Sequence, residues 1–139
     1  KLMCRSKISL DFCQSTDGRP TMHLRSFEVP ACGALLMEDS NTLLDRLLDP
    51  PALANLKSPG PPADFIIFHN SWELLEWVRY YLSHEEERAA VAKAGHEKVT
   101  RVFNALNMWG QVFERMGFDI GWLAKDKDYL RHKSAMEGI

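Results

Sequence analysis

Thr21-Met22-His23-Leu24-Arg25-Ser26-Phe27-Glu28-Val29-Pro30-Ala31-Cys32-Gly33-Ala34-Leu35-Leu36-Met37-Glu38-Asp39 is the stretch that decides how the chain is read. It holds a short candidate helix from Arg25 to Cys32, which has to accommodate Pro30 in its opening turns. Gly33 then breaks it, and Ala34-Leu35-Leu36-Met37 has the apolarity of a short buried strand. Upstream, Ile8, Leu10 and Phe12 alternate with Ser9 and Asp11, the period-two pattern of another strand. Gln14 to Arg19 is polar and contains Asp17-Gly18, a turn signal. Strand, helix and strand in this order imply parallel pairing through a right-handed crossover.

The pattern continues downstream. Ser40 or Asn41 can cap a helix through Leu48, with Leu43, Leu44, Leu47 and Leu48 on one face. Pro50-Pro51 ends it, and the stretch to Pro62 reads as a loop. Phe65 to Phe68 is a third buried strand. Asn70 and Glu73 have capping-box spacing, opening a helix whose expected core face is Leu74, Leu75, Val78 and Leu82. Ser83 and Glu86 repeat the device for a helix aligning Val91, Gly95, Val99, Val102 and Leu106. Met108, Trp109, Val112, Phe113 and Met116 form a last amphipathic stretch, which Gly117 stops.

The expected fold class is therefore α/β, a Rossmann-like parallel sheet with helices on both faces. Three strands make a thin sheet: either the sheet is small or, the reading favoured here, its other strands lie in sequence not present. That leaves a sheet edge and apolar helix faces, including Trp109, Phe118 and Trp122, without cover.

The 139 residues fit one domain, with 45% apolar and 26% charged residues, an ordinary globular composition. A net charge of −2 and scattered Lys and Arg give no footprint for nucleic acid. Three cysteines without Cys-x-x-Cys spacing argue against a disulfide scaffold or zinc site and fit a reducing, cytoplasmic setting. No apolar run approaches the roughly 18 residues of a transmembrane segment. The chain begins with Lys, and reads as a processed or truncated piece.

The amino end of a helix that follows a parallel strand offers free N–H groups and partial positive charge, a place for a diphosphate. Ligands of open parallel sheets collect at the carboxyl ends of strands. Glu28, one turn in, is placed to accept the two hydroxyls of a ribose. The residues alone leave a structural reading open, in which Phe27, Val29 and Cys32 pack while Arg25 and Glu28 pair at the surface. His23, close to this loop, could touch a phosphate or sugar or be a solvated loop residue. Glu38 and Asp39, following the second strand at its ligand-facing end, could meet a ligand, cap a helix or lie in a solvated turn. No two histidines have metal-ligand spacing with a Cys or carboxylate, and no metal is expected. Motifs of hydrolases, NTPases and dehydrogenases are absent.

Arg25-x-Phe27-Glu28-x-x-Ala31-Cys32-Gly33, followed by a buried strand and an acidic residue, resembles a signature of GT-B glycosyltransferases. The similar group is the spore maturation protein-like one, within glycosyltransferase group 1. Ser6 to Phe12, Ser71 to Leu82 and Glu85 to Val99 are similar to the flanking strand and helices in collinear order, covering about Ser6 to Thr100. The resemblance implies the second half of the C-terminal, donor-binding domain.

It implies residues 1–106 as a nucleotide-sugar-binding region and 107–139 as a helical extension with a charged tail. It also implies a nucleotide-diphosphate sugar as substrate, no cofactor, retention of anomeric configuration in a hexosyltransferase-type reaction, and an unknown acceptor. Glu28 matches the ribose-binding Glu, and Arg25 the Arg near the diphosphate. Backbone around Leu24, Arg25, Ser26 and Phe27 matches the phosphate cradle. The N-terminal Rossmann-like domain, or a partner chain in its place, is expected to complete an enzyme inactive in isolation.

Pro20 departs from the resemblance, standing where many relatives have a sugar-contacting Glu. The Pro-rich loop looks longer than usual, and Trp109 stands where polar residues are expected. A non-catalytic interaction module or a nucleotide sensor derived from such an enzyme is the alternative.

Overall fold

The computed structural model describes residues 2–13, 23–39 and 63–137. The helix expected up to Leu48, the Pro-rich loop, the Asp17-Gly18 turn and Pro20 lie outside the described residues. Three strands, β1 (Ile8–Asp11), β2 (Leu35–Asp39) and β3 (Ile66–Phe68), form a parallel sheet in the order β1-β2-β3. Five helices accompany it: α1 (Arg25–Ala31), α2 (Ser71–Ser83), α3 (Glu85–Arg101), α4 (Ala105–Arg115) and α5 (Lys127–Glu137). The α/β class and parallel pairing expected from the sequence are what the chain adopts.

Central strand β2 is buried along its whole length, as a parallel strand covered on both faces must be. Alternation sends its side chains to two cores. Leu35 and Met37, with Ile66 and Phe68, pack against Trp77 and Tyr81 of α2 and Val91 and Ala92 of α3. Ala34 and Leu36, with Phe65, meet Val29 of α1 and Val99 of α3. Each Val, Leu, Ile, Met or Phe among them contributes roughly 1.5–3 kcal/mol when fully buried. These two layers therefore hold the strand ends in place. Arg88 ties α3 to the start of β1, donating to the Lys7 carbonyl at 3.0 Å.

Several faces differ from the sequence reading. In β1, Asp11 is fully buried, whereas Leu10 and Phe12 are 37% and 56% exposed. β1 lies at the edge of the described sheet, so its apolar face is only partly covered. The opposite face runs beneath α1, where Asp11 finds charged partners. In α2 the buried residues are Trp77 and Tyr81, while Leu75 and Leu82 are exposed. The two aromatic rings remove more apolar area from water than the two leucines would, so the helix rotates them inward.

The caps differ in detail. Asn70 accepts from the Trp72 and Glu73 amides, both at 3.0 Å. Glu73 reaches past the expected Asn70 amide to that of His69, at 2.7 Å. Ser83 does not cap α3. Its hydroxyl turns back to the Arg79 and Tyr80 carbonyls that end α2, and His84 occupies the cap position.

Helix α4 presents its apolar side to solvent. Leu106, Met108, Trp109, Val112, Phe113 and Met116 are all exposed, and Asn107, Gly110 and Gln111 are buried. The uncovered Trp109 is as expected, and hydrogen bonding explains why the polar side faces inward. The Asn107 amide donates to the Arg101 and Val102 carbonyls at the end of α3, at 3.0 and 2.8 Å. Gly110 admits Leu123 and Tyr129 so closely that an added Cβ would lie 2.2 and 2.9 Å from them. Helix α5 closes this layer through Tyr129 and Lys133, both bonded to Glu114. None of the described helices is long and apolar enough to cross a membrane.

Candidate functional site

Parallel pairing brings the carboxyl ends of all three strands to one edge of the sheet. There Asp11 of β1 stands in register with Glu38 of β2, both fully buried. Parallel partners point to the same face, here the one beneath α1. Cys13, just past β1, donates its thiol to Glu38 at 3.0 Å and its amide to Asp39 at 2.7 Å. Glu38 and Asp39 thus lie inside β2 and fix the segment leaving β1, rather than following the strand as a solvated turn.

Helix α1 starts at the same edge. It ends in a Schellman arrangement, with Gly33 donating to Pro30 at 2.8 Å and Ala34 to Val29 at 3.3 Å. Gly33 takes φ +76° there, a conformation that favours glycine. From the other side His96 of α3 donates through Nδ1 to the Pro30 carbonyl at 3.0 Å. The first turn of α1 is therefore positioned from its far end by β2 and α3.

Arg25, the first residue of α1, donates to Asp11 Oδ1 at 3.1 Å, and His23 Nδ1 approaches the same oxygen at 3.3 Å. Asp11 Oδ2 has no hydrogen-bond partner among the described residues. The Arg25 side chain remains half exposed, with the rest of its guanidinium donors available for a ligand. Glu28 is exposed, one turn on, and its carboxylate makes no ion pair or hydrogen bond among the described residues. The surface pair between Arg25 and Glu28 does not form, because the buried Asp11 takes the guanidinium.

The other residues of the stretch divide. Leu24 is exposed, Ser26 buried, and Phe27 packs half-buried on Phe103 with ring centroids 5.5 Å apart. The Ser26 and Phe27 amides are donated to the His23 and Leu24 carbonyls. The amides of Leu24 and Arg25 are the ones these bonds leave open. With only seven residues, α1 has a small dipole, and the positive charge at this edge comes chiefly from Arg25.

Asp11, Cys13 and His23 also offer one ligand atom each within 4.8 Å of one another, a group able to hold a metal ion. Their positions at 11, 13 and 23 conceal this in the sequence. The signal that was present is chemical: acidic residues at the ends of strands that otherwise read as apolar. His69, before α2, pairs with Glu73 at 3.0 Å, and His84, at the end of α2, stacks on Tyr80 with centroids 4.0 Å apart. A groove of about 820 Å³ lies at the start of α2, lined by His69, Asn70, Glu73 and Glu76, with Trp72 highly exposed beside them.

A cation with free donors beside an exposed carboxylate, at the carboxyl edge of a parallel sheet, suits a phosphorylated ligand that also carries hydroxyls. A family model described as glycosyl transferase-like matches residues 1–114. No curated protein and no solved structure gives a significant match. With most of its length matched and a parallel α/β sheet of the Rossmann-like kind, the chain belongs to the glycosyl transferase-like family.

Proposed function

We propose that this chain is the donor-binding part of a GT-B-type glycosyltransferase, the second half of its C-terminal Rossmann-like domain. It holds a nucleotide-diphosphate sugar and serves transfer of that sugar, with retention, to an acceptor supplied from elsewhere. The carrying observation is the placement of Arg25 and Glu28 one turn apart at the carboxyl edge of the sheet. The guanidinium is oriented by buried Asp11, and the carboxylate is exposed.

In this reading Arg25 forks onto diphosphate oxygens, helped by the Leu24 and Arg25 amides, and Glu28 accepts the ribose hydroxyls. His23 stands beside the phosphates. Ser26 and Phe27 contribute by shaping the turn, since their side chains face inward. Negative charge grows on the departing diphosphate as the glycosidic bond breaks. A positioned cation stabilises that state more than the ground state. Arg25 supplies the charge, so the reading invokes no resident metal or cofactor.

The donor region spans 1–106, with 107–139 as a helical extension. The exposed apolar row of α4 is where the N-terminal Rossmann-like domain, or a partner chain in its place, is proposed to pack. A sensor that binds the same nucleotide without turnover would share this site.

Calorimetric titration with UDP, GDP and uridine, carried to millimolar concentration, tests the diphosphate contact. The reading expects both diphosphates to bind saturably and uridine far more weakly. Arg25→Ala should weaken UDP by about 1.5–3 kcal/mol, the scale of a hydrogen bond to a charged group. A folded chain that treats UDP and uridine alike would exclude this site.

A further inference from the structure

Two thiols outside the charged site lie close together. Cys4 Sγ and Cys32 Sγ are 2.9 Å apart, although the residues are 28 positions apart in sequence. Cys4 sits in the short turn Met3–Arg5 before β1, and Cys32 caps the end of α1. Neither thiol is sealed from solvent: Cys4 is exposed and Cys32 half-buried, whereas Cys13 is 2% exposed and bonded to Glu38. The two sulfurs need to close by less than about 1 Å to reach the bonded length of about 2.05 Å.

We propose that Cys4 and Cys32 are an oxidative modification site, joined as a disulfide by a small-molecule disulfide oxidant. Cys4, the more exposed sulfur, attacks the oxidant as its thiolate. That step forms a mixed disulfide and releases one thiol of the oxidant. Cys32 is held protonated above its usual range, first by its hydrogen bond with Cys4 and then by burial. It loses its proton as it displaces the second oxidant thiol from Cys4. The protein loses two hydrogens and two electrons, and the oxidant becomes two thiols.

The loop so closed contains Asp11 of β1 and Arg25 and Glu28 of α1, which the donor reading uses, together with Cys13 and His23. The cross-link narrows the unfolded ensemble of that segment. The proposal is independent of the donor reading, because its test is covalent.

The test is to incubate the full chain with oxidised glutathione and follow intact mass, peptide mapping and melting temperature. The expected result is a mass lower by two hydrogens, a peptide linking Cys4 to Cys32, and Cys13 still a free thiol. The melting temperature should rise by about 10 °C, the order for closing a loop of this length in a chain of this size. Cys4→Ser should abolish the linked peptide and leave any glutathione adduct on Cys32. Stable glutathione adducts on both Cys4 and Cys32, or three free thiols in a chain that circular dichroism shows to be folded, would overturn the proposal.

Discussion

Replacing Gly95 with alanine probes the packing that holds α1, and with it Arg25, in place. Gly95 lies on α3 where that helix crosses the residues leading into β3. An added Cβ would lie 2.5 Å from the Asp64 carbonyl oxygen and 3.5 Å from Pro30 Cβ. The first contact is with backbone, which cannot rotate away, so α3 has to retreat by about 0.9 Å to reach ordinary contact. The retreat loosens Val99 in its core, the His96–Pro30 bond and the Lys98–Asp64 ion pair, 2.8 Å long.

Overpacking of this kind costs about 2–3 kcal/mol near the upper part of its usual range, and helix propensity returns about 1 kcal/mol on going from glycine to alanine. The net loss is about 1–2 kcal/mol. At about 2.1 cal/mol/K per residue over 139 residues, the unfolding entropy is about 0.3 kcal/mol/K. The melting temperature should fall by about 3–7 °C in a calorimetric scan. An unchanged or higher value would mean that α3 does not lie against Asp64, and the positioning of α1 from behind would lose its basis.

Asn70→Ala removes the acceptor of two amides at the start of α2 and should cost about 1 kcal/mol of unfolding free energy in urea. His132 is buried beside Phe103, and burial lowers its pKa from 6.5. The unfolded chain then takes up a proton that the folded chain resists. Its share of stability is complete above about pH 6.5 and is lost as pH falls through the folded value. His132→Phe should flatten the decline in urea midpoint between about pH 7 and pH 5, and an identical pH profile would contradict this. Trp109→Ser with Phe113→Ser, both exposed on α4, should reduce self-association of the isolated chain in sedimentation velocity without lowering its melting temperature.

The fold was legible wherever burial is two-sided. Leu35 to Met37 and Phe65 to Phe68 read as buried strands because helices cover both faces, so no solvent-facing pattern competes. The ends of α1 and α4 were legible because Gly33 and Gly117 adopt positive φ. On α2 periodicity found Leu74 and Val78, which pack on the core, but missed Trp77 and Tyr81. On α4 the apolar face with Trp109 is uncovered as expected, and it is the polar inward side that periodicity did not show. In α2 the aromatic rings outweigh Leu75 and Leu82. In α4 the free carbonyls ending α3 draw Asn107 inward, and Gly110 lets α4 approach Leu123 and Tyr129. Periodicity counts apolar residues and cannot see a partner helix end.

The candidate site was half legible. Arg25 and Glu28 stand out by local spacing and by resemblance, and both lie at the expected edge of the sheet. Asp11, Cys13 and Glu38 were missed as a unit because strand register and hydrogen bonds join them across 27 positions of sequence. Asp11 is the instructive case. As a polar residue between Leu10 and Phe12 it reads as solvent-facing, yet it is fully buried and orients Arg25.

The most direct test of the central claim is calorimetric titration of UDP and GDP against the wild-type chain and Glu28→Ala, with folding checked by circular dichroism. The account predicts saturable binding of both nucleotides, weakened about equally, by about 1–3 kcal/mol, when Glu28 loses its carboxylate. The ribose, which Glu28 is proposed to hold, is common to both. Equal affinity of the variant and the wild type, or no binding by a folded wild-type chain, would contradict the assignment of this edge as a nucleotide-sugar site.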